Sequence, residues 1–392
     1  MKIKLKIALS DFVYYMAIYI YMIFMTLTQT MFFNKFQGYK YLLVIYSILI
    51  LVFIKEYISL LEKKESIKNI LILMAIIIIS YAVGKESLSC TSALVYTSRN
   101  VNINQIIKNV TYLLMIILIF IIISSKLNII PNYSVLRGGN VRQYLGFRYS
   151  LYPTAILFNI VAGYIYVYKR KVKLSVLIFL SIFARYLYMC TYAKLSTVLV
   201  FAVILIAIFD KYMGILKIKF VNKIIYSFRY SYIILTILSV WIVSTYNQSV
   251  EWMNKLNILL ESRISLAKQS VDMYGMNLFG IKDLAWQGNG LSLEGTEVKN
   301  IAYLYVDNFY INIIQQYGLV FSIILLIIFT LTIIKSLKEG DNYLGLILII
   351  FAFHGLLDNL MMTLYYNIFL ITLFPILSEN AYGNDKKYKR QI

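Results

Sequence analysis

The sequence predicts an all-α, polytopic integral membrane protein of about 12 transmembrane helices with one large extracytoplasmic loop, and three observations carry that prediction. The 392 residues are 60% hydrophobic and 14% charged, with three prolines, and mean hydropathy is +0.74; ordinary soluble domains do not have this composition. Apolar runs near the length of about 20 residues needed for one crossing recur along the chain. Hydrocarbon forces backbone amides to pair internally, and the alternating pattern of a β-barrel is absent, so helices are the spanning structure. Lysines collect in the short polar breaks between runs, as cytoplasmic loops do.

A formal net charge of +20 would point to nucleic acid in a soluble protein. Here the lysines set orientation, so the partner is the lipid bilayer and not nucleic acid. Cys90 and Cys190 lie in or beside spans without ligand spacing, and His354 is the only histidine, so no metal site is indicated.

Taken in order, Lys2, Lys4 and Lys6 precede a first span, Ala8 to Phe33, that no small-residue cleavage site follows, which predicts a retained helix. A turn at Gln37 and Gly38 leads to Tyr39–Ile54, and Lys55, Lys63, Lys64 and Lys68 form a cytoplasmic loop. Ile70–Val83 is followed by a weakly apolar crossing, Ser87–Ser98, that returns Arg99 and Lys108 inside, and Val110–Ser125 ends outside. An outer loop over 126–149 precedes Leu151–Tyr168, and the cluster Lys169, Arg170, Lys171 and Lys173 is the firmest cytoplasmic anchor. Leu174–Cys190 and Leu195–Phe209 flank an outer turn, Lys211, Lys217, Lys219 and Lys223 mark the inside, and Tyr230–Thr245 climbs to the long loop. After it come Leu319–Ile334, Tyr343–Leu357 and Thr363–Leu377, then the basic tail Lys386, Lys387, Lys389, Arg390. Both termini fall in the cytoplasm. The organisation is a nine-span bundle over 1–245, an extracytoplasmic loop over 246–318, and spans with a basic tail over 319–392.

Chemistry is sought on the outer side. Arg137, Arg142, Arg148, Arg185, Lys194 and Arg263 are cations kept against the orientation rule. Either they meet headgroups, or they grip an anionic ligand, and a guanidinium fork suits a diphosphate. Trp252, Trp286, Tyr303, Tyr305, Tyr310 and Tyr317 suit sugar rings or an interfacial belt. The long loop also carries Gly288, Gly290 and Glu294. Asp307 precedes a helix with Asn308, Asn312 and Gln315 on one face; it is either the N-cap or a base for a sugar hydroxyl. His354 and Asp358 share a helix face, as a structural pair or as a proton acceptor.

These features resemble the Wzy-type polysaccharide polymerases, the membrane family that also includes the O-antigen ligases. The layout matches over nearly the whole chain. Arg142 followed by Gly146 and Phe147, the turn Thr191, Tyr192, Ala193, Lys194, Leu195, Ser196, the pair Asn257 and Arg263, the glycines Gly288 and Gly290, and Asn308 with Tyr310 and Gly318 follow the family's order of motifs. Lys194 stands where the family has arginine, and a lysine lacks the bidentate fork. Asp307 stands where ligases carry histidine, which favours the polymerase branch.

The resemblance implies a GT-C-like glycosyltransferase that joins oligosaccharide repeat units carried on undecaprenyl diphosphate, at the outer face of the cytoplasmic membrane. It needs no nucleotide sugar, cofactor or metal, and its partners are a flippase and a chain-length regulator. On that reading Asp307, Arg263 and Arg142 are catalytic. Arg137, Arg148, Arg185, Lys194, Asn308, Tyr310, His354 and Asp358 hold substrate. The competing classes are a flippase for the same lipid-linked sugar and an O-antigen-type ligase.

Overall fold

A computed structural model describes residues 8–137, 139–288, 291 and 303–377. The lysines read at the N-terminus, the basic tail, Gly138, Gly290 and Glu294 lie outside the described residues, and so does the side chain of Arg137. Among the described residues eight helices are long and apolar enough to cross a membrane, consistent with a multi-pass membrane protein.

In chain order the helices are α1 (Leu9–Leu27), α2 (Tyr39–Leu61), α3 (Ile67–Thr97), α4 (Ile103–Lys126), α5 (Tyr152–Tyr168), α6 (Leu174–Thr191), α7 (Lys194–Met213) and α8 (Lys219–Ser227). Then follow α9 (Ser231–Thr245), α10 (Glu251–Leu259), α11 (Arg263–Tyr274), α12 (Phe309–Tyr317), α13 (Leu319–Lys338), α14 (Asn342–His354) and α15 (Leu373–Leu377). Between α4 and α5 a hairpin, β1 (Ser134–Arg137) and β2 (Asn140–Gln143), pairs Val135 with Arg142. It is a small departure from the all-α expectation, and Gly139 at φ +76° suits the tight turn.

Four of the twelve expected crossings are shorter than the eight helices above. Within α3, Gly84 and Lys85 leave helical geometry, Lys85 at φ +57°. Ser89 Oγ then donates to the Ile77 carbonyl at 3.3 Å. Residues twelve apart along a straight helix would be about 18 Å apart, so the chain doubles back, and 86–97 is a return arm too short to cross about 30 Å of hydrocarbon. Helix α5 has 17 residues and is nearly all buried, and α14 has 13. The expected last crossing is a 3-10 turn over Ile368–Thr372 running into the short α15; Asn367 breaks the apolar run by donating to the Met361 carbonyl at 3.0 Å.

Among the described residues the chain divides into two compact units, the first of 8–207 with 368–377, the second of 208–291 with 303–367. In the first, α1 packs on α2, α2 on α3, α4 on α5 and α5 on α6, with β2 lying on α6. In the second, α9 packs against α11, α12, α13 and α14. Apolar faces of α9, α11 and the α12 region meet through Val243, Ala267, Val306 and Ile311. Burying each of the two valines and the isoleucine is worth about 1.5–3 kcal/mol, which fixes the platform on which Arg263 and Asp307 are displayed.

Candidate functional site

In the second unit the chain folds so that Arg263, Asp307, Asn308, His354 and Asp358 come together. Arg263 opens α11 after two residues, Glu261 and Ser262, held at positive φ (+52° and +66°). This turn is secured by Asn257, whose Oδ1 accepts from Ser265 N at 3.0 Å and whose Nδ2 donates to Ser265 Oγ at 3.2 Å. The guanidinium Nε lies 3.5 Å from Asp307 Oδ2, and Nη1 donates to the Leu260 carbonyl at 3.3 Å.

Of the two readings for Asp307, the cap falls to its neighbour. Asn308 Oδ1 accepts from the amides of Tyr310 (3.0 Å) and Ile311 (3.1 Å), which satisfies the free donors of α12's first turn. Asp307 is thereby left to face Arg263. Asn308 Nδ2 also donates to Ser239 Oγ of α9 at 3.1 Å and to the Leu356 carbonyl at 3.3 Å. The polar face read on α12 is structural: Asn312 donates to the Val306 carbonyl, and Gln315 to the Ser270 and Gly275 carbonyls.

Helix α14 stops at His354, so Asp358 lies past its end and not on the same helix face. The pair still meets, Nε2 to Oδ2 at 3.6 Å. Asp358 Oδ1 accepts from Leu360 N at 2.9 Å. Burial pushes its carboxyl up to about 6, with the Leu360 amide and the Arg263 charge pulling the other way. Tyr305 is pushed up to about 12 by burial, despite the bond its oxygen accepts from Asn359. Tyr310 is fully buried, its phenol donating to the Ala352 carbonyl at 2.6 Å. Its ring serves packing against Tyr232 and Phe309.

Beside Arg263 opens a cavity of about 290 Å³ lined by Leu238, Ile242, Val243, Leu256, Leu260, Ile264, Leu356 and Leu357, with Ser239, Asn308 and Arg263 as its polar members. An apolar hollow with one guanidinium at its wall accommodates an amphipathic anion, its tail against leucines and its head on the cation. Trp286 and Tyr305 stand edge to face at 5.9 Å, and Trp286 Nε1 donates to Ser270.

The other site residues belong to the first unit. Arg142 projects from β2 with its Nε buried and without a hydrogen-bond partner among the described residues. The Arg148 guanidinium sits 5.5 Å from the Phe33 ring, and its amide donates to the Gln29 carbonyl at 2.9 Å. Gly146, read as part of the same motif, has φ +83° and accepts from Met31 N at 2.9 Å, so it fixes where that arginine loop meets the end of α1. Arg185 is exposed on α6, 5.6 Å from the Tyr188 ring. Lys194 begins α7, exposed, after Tyr192 turns the chain at φ +53°.

The sequence reading missed a buried ion network in the first unit. Lys55 pairs with Glu56 (2.7 Å), Glu56 with Arg99 (3.0 Å) and Arg99 with Glu65 (3.3 Å). Lys55 and Glu56 are buried within α2, not in the loop where the sequence reading put Lys55, and Arg99 is buried in the turn after α3. The signal was Glu56 beside Lys55: charges of opposite sign at the end of an apolar run neutralise each other and continue the helix.

Comparison with protein-family models, with characterised proteins and with solved structures finds no match.

Proposed function

We propose that the chain is a membrane glycosyltransferase, a polysaccharide polymerase of the Wzy type, that joins oligosaccharide repeat units carried on a polyprenyl diphosphate at the outer face of the cytoplasmic membrane. The observation that carries this reading is Arg263, 3.5 Å from Asp307, at the wall of an apolar cavity of about 290 Å³. A polyprenyl diphosphate has the matching parts, an isoprenoid chain for the leucines and an anionic head for the guanidinium.

The step is a glycosyl transfer. Asp307 takes the proton of an acceptor hydroxyl; the oxygen forms a bond to the anomeric carbon of the growing chain; the bond from that carbon to the diphosphate oxygen breaks. The electron pair leaves on the diphosphate, whose charge Arg263 neutralises. Asn308 holds Asp307 in register by capping α12. Arg142 and Arg148 in the first unit are assigned to lipid-linked phosphate by the same chemistry, with Arg185 and Lys194 in support. Flippase and chain-length regulator are the partners such a polymerase works with.

The test removes the gene product from its host and separates lipid-linked saccharides by size and by membrane face. Single repeat units stranded outside, with long chains missing, are expected, and R263Q or D307N should reproduce that state. Units trapped inside would mark a flippase, and long unattached chains a ligase; either overturns the polymerase.

A further inference from the structure

We propose that α8 is an interfacial helix that binds the phosphate headgroups of anionic phospholipids through Lys219 and Lys223, while Phe220, Ile224 and Phe228 enter the acyl region beneath. This rests on the membrane-spanning character of the neighbouring helices and not on the polymerase reading.

Helical turns run from Lys219 through a 3-10 turn at Phe228–Tyr230 to Thr245, 27 residues in all. That is about 40 Å against a hydrocarbon thickness of about 30 Å. About a quarter of this length therefore stands outside the core, and the lysines place it at the α8 end. Helix α8 has three sectors. Ile225 is buried and Asn222 accepts from Asn342 at 3.0 Å, which seats one sector on the protein. Phe220, Ile224 and Phe228, at the four-residue spacing of a second sector, are 70%, 44% and 44% exposed. Lys219 and Lys223 form the third, both exposed and neither with an ion pair or hydrogen bond among the described residues.

A helix divided in this way, with aromatic and aliphatic residues on one side and lysines on another, fits the headgroup boundary. Arg229 marks the same depth, its guanidinium 4.3 Å from the Tyr226 ring and 4.5 Å from the Tyr230 ring. Charge selects the lipid. Residues 211–230 include Lys211, Lys217, Lys219, Lys223 and Arg229 and no Asp or Glu. The nearest carboxylate before them, Asp210, is buried and accepts from Leu216 N and Tyr343. No acidic side chain of the segment competes with a phosphate for these cations.

The test uses the full chain in nanodiscs of phosphatidylcholine with phosphatidylglycerol as the minor lipid. Native mass spectrometry reads the enrichment of phosphatidylglycerol among lipids retained on the protein. K219Q/K223Q should lower this enrichment roughly fivefold per lysine. K335Q/K338Q, whose Lys335 already faces Glu339 at 4.0 Å, should leave it near the wild-type value. No loss in K219Q/K223Q, or equal losses from both pairs, overturns the proposal. The F220C and I224C variants, read against the wild-type background, should react with a lipid-soluble maleimide and be shielded from a charged one. Modification by the charged reagent would put the apolar sector in water, open to a protein partner, and overturns it as well.

Discussion

At the scale of single residues, one side chain decides what its neighbours can do. Asn308 takes the N-cap of α12, and this frees Asp307 to sit 3.5 Å from Arg263. Both residues were legible as candidates in the sequence, but which of them caps was not, because capping depends on backbone angles that tertiary packing sets. Asp358 was legible only as a partner of His354, and its burial was not visible at all. With its folded carboxyl pushed up from 3.8 to about 6, the folded state holds the proton more tightly than the unfolded chain does. Its contribution is therefore full below about pH 4 and is lost as pH rises through 6. The shift corresponds to roughly 3 kcal/mol. Melting in detergent at pH 4 and at pH 7 should show D358N losing less stability across that interval than wild type. A loss equal to that of wild type would mean that Asp358 does not titrate there.

At the scale of elements, the spans were legible because each is a long apolar run bounded by lysines. The break at Gly84 and Lys85 was legible too, falling between the spans read as Ile70–Val83 and Ser87–Ser98, but the shortness of its second arm was not, since the composition there only thins. Gly318 is an intermediate case. The sequence marked it as a glycine following Asn308 and Tyr310, without a reason. In the fold it joins α12 to α13 at φ +89°, and a Cβ there would stand 2.4 Å from both the Gly280 nitrogen and the Leu278 carbonyl oxygen. The segment that crosses it is stitched on both sides, Leu319 N to the Asn277 carbonyl, Val320 N to the Leu278 carbonyl and Ile281 N to the Gln315 carbonyl. These neighbours are backbone and cannot rotate away. G318A should therefore cost about 2–4 kcal/mol, combining the left-handed strain with overpacking. Comparing thermal unfolding of G318A with that of G275A, where the glycine also has positive φ but open space, separates the two terms. Equal losses would remove the crossing from the explanation.

At the scale of the whole molecule, hydropathy and the lysine pattern carried the class and most of the spans, but they treated a lysine at the end of an apolar run as a loop marker. That rule holds where a charge stands alone. It fails for Lys55, which lies inside α2, because Glu56 and Glu65 make its cluster with Arg99 neutral and allow it to be buried where α2 meets the turn after α3. Arg99 is the keystone: Nη2 faces Glu56, Nε faces Glu65, Nη1 donates to the Tyr96 carbonyl at 2.6 Å, and the guanidinium lies 3.6 Å from the Tyr96 ring. Removing it leaves two carboxylates without their shared cation, and breaking such a buried pair costs about 3–5 kcal/mol. Glu56 keeps Lys55, so the larger part of that cost falls on Glu65, whose oxygens otherwise take, among the described residues, the amides of Asn69 and Asn100. R99M should thus destabilise the first unit strongly, and adding E65Q should restore part of the loss by removing the uncompensated charge. A double-mutant cycle of thermal stability in nanodiscs reads the coupling. Additive losses would show that Arg99 is held by packing on Tyr96 alone, and the ion network would then have no part in joining α2 to α3.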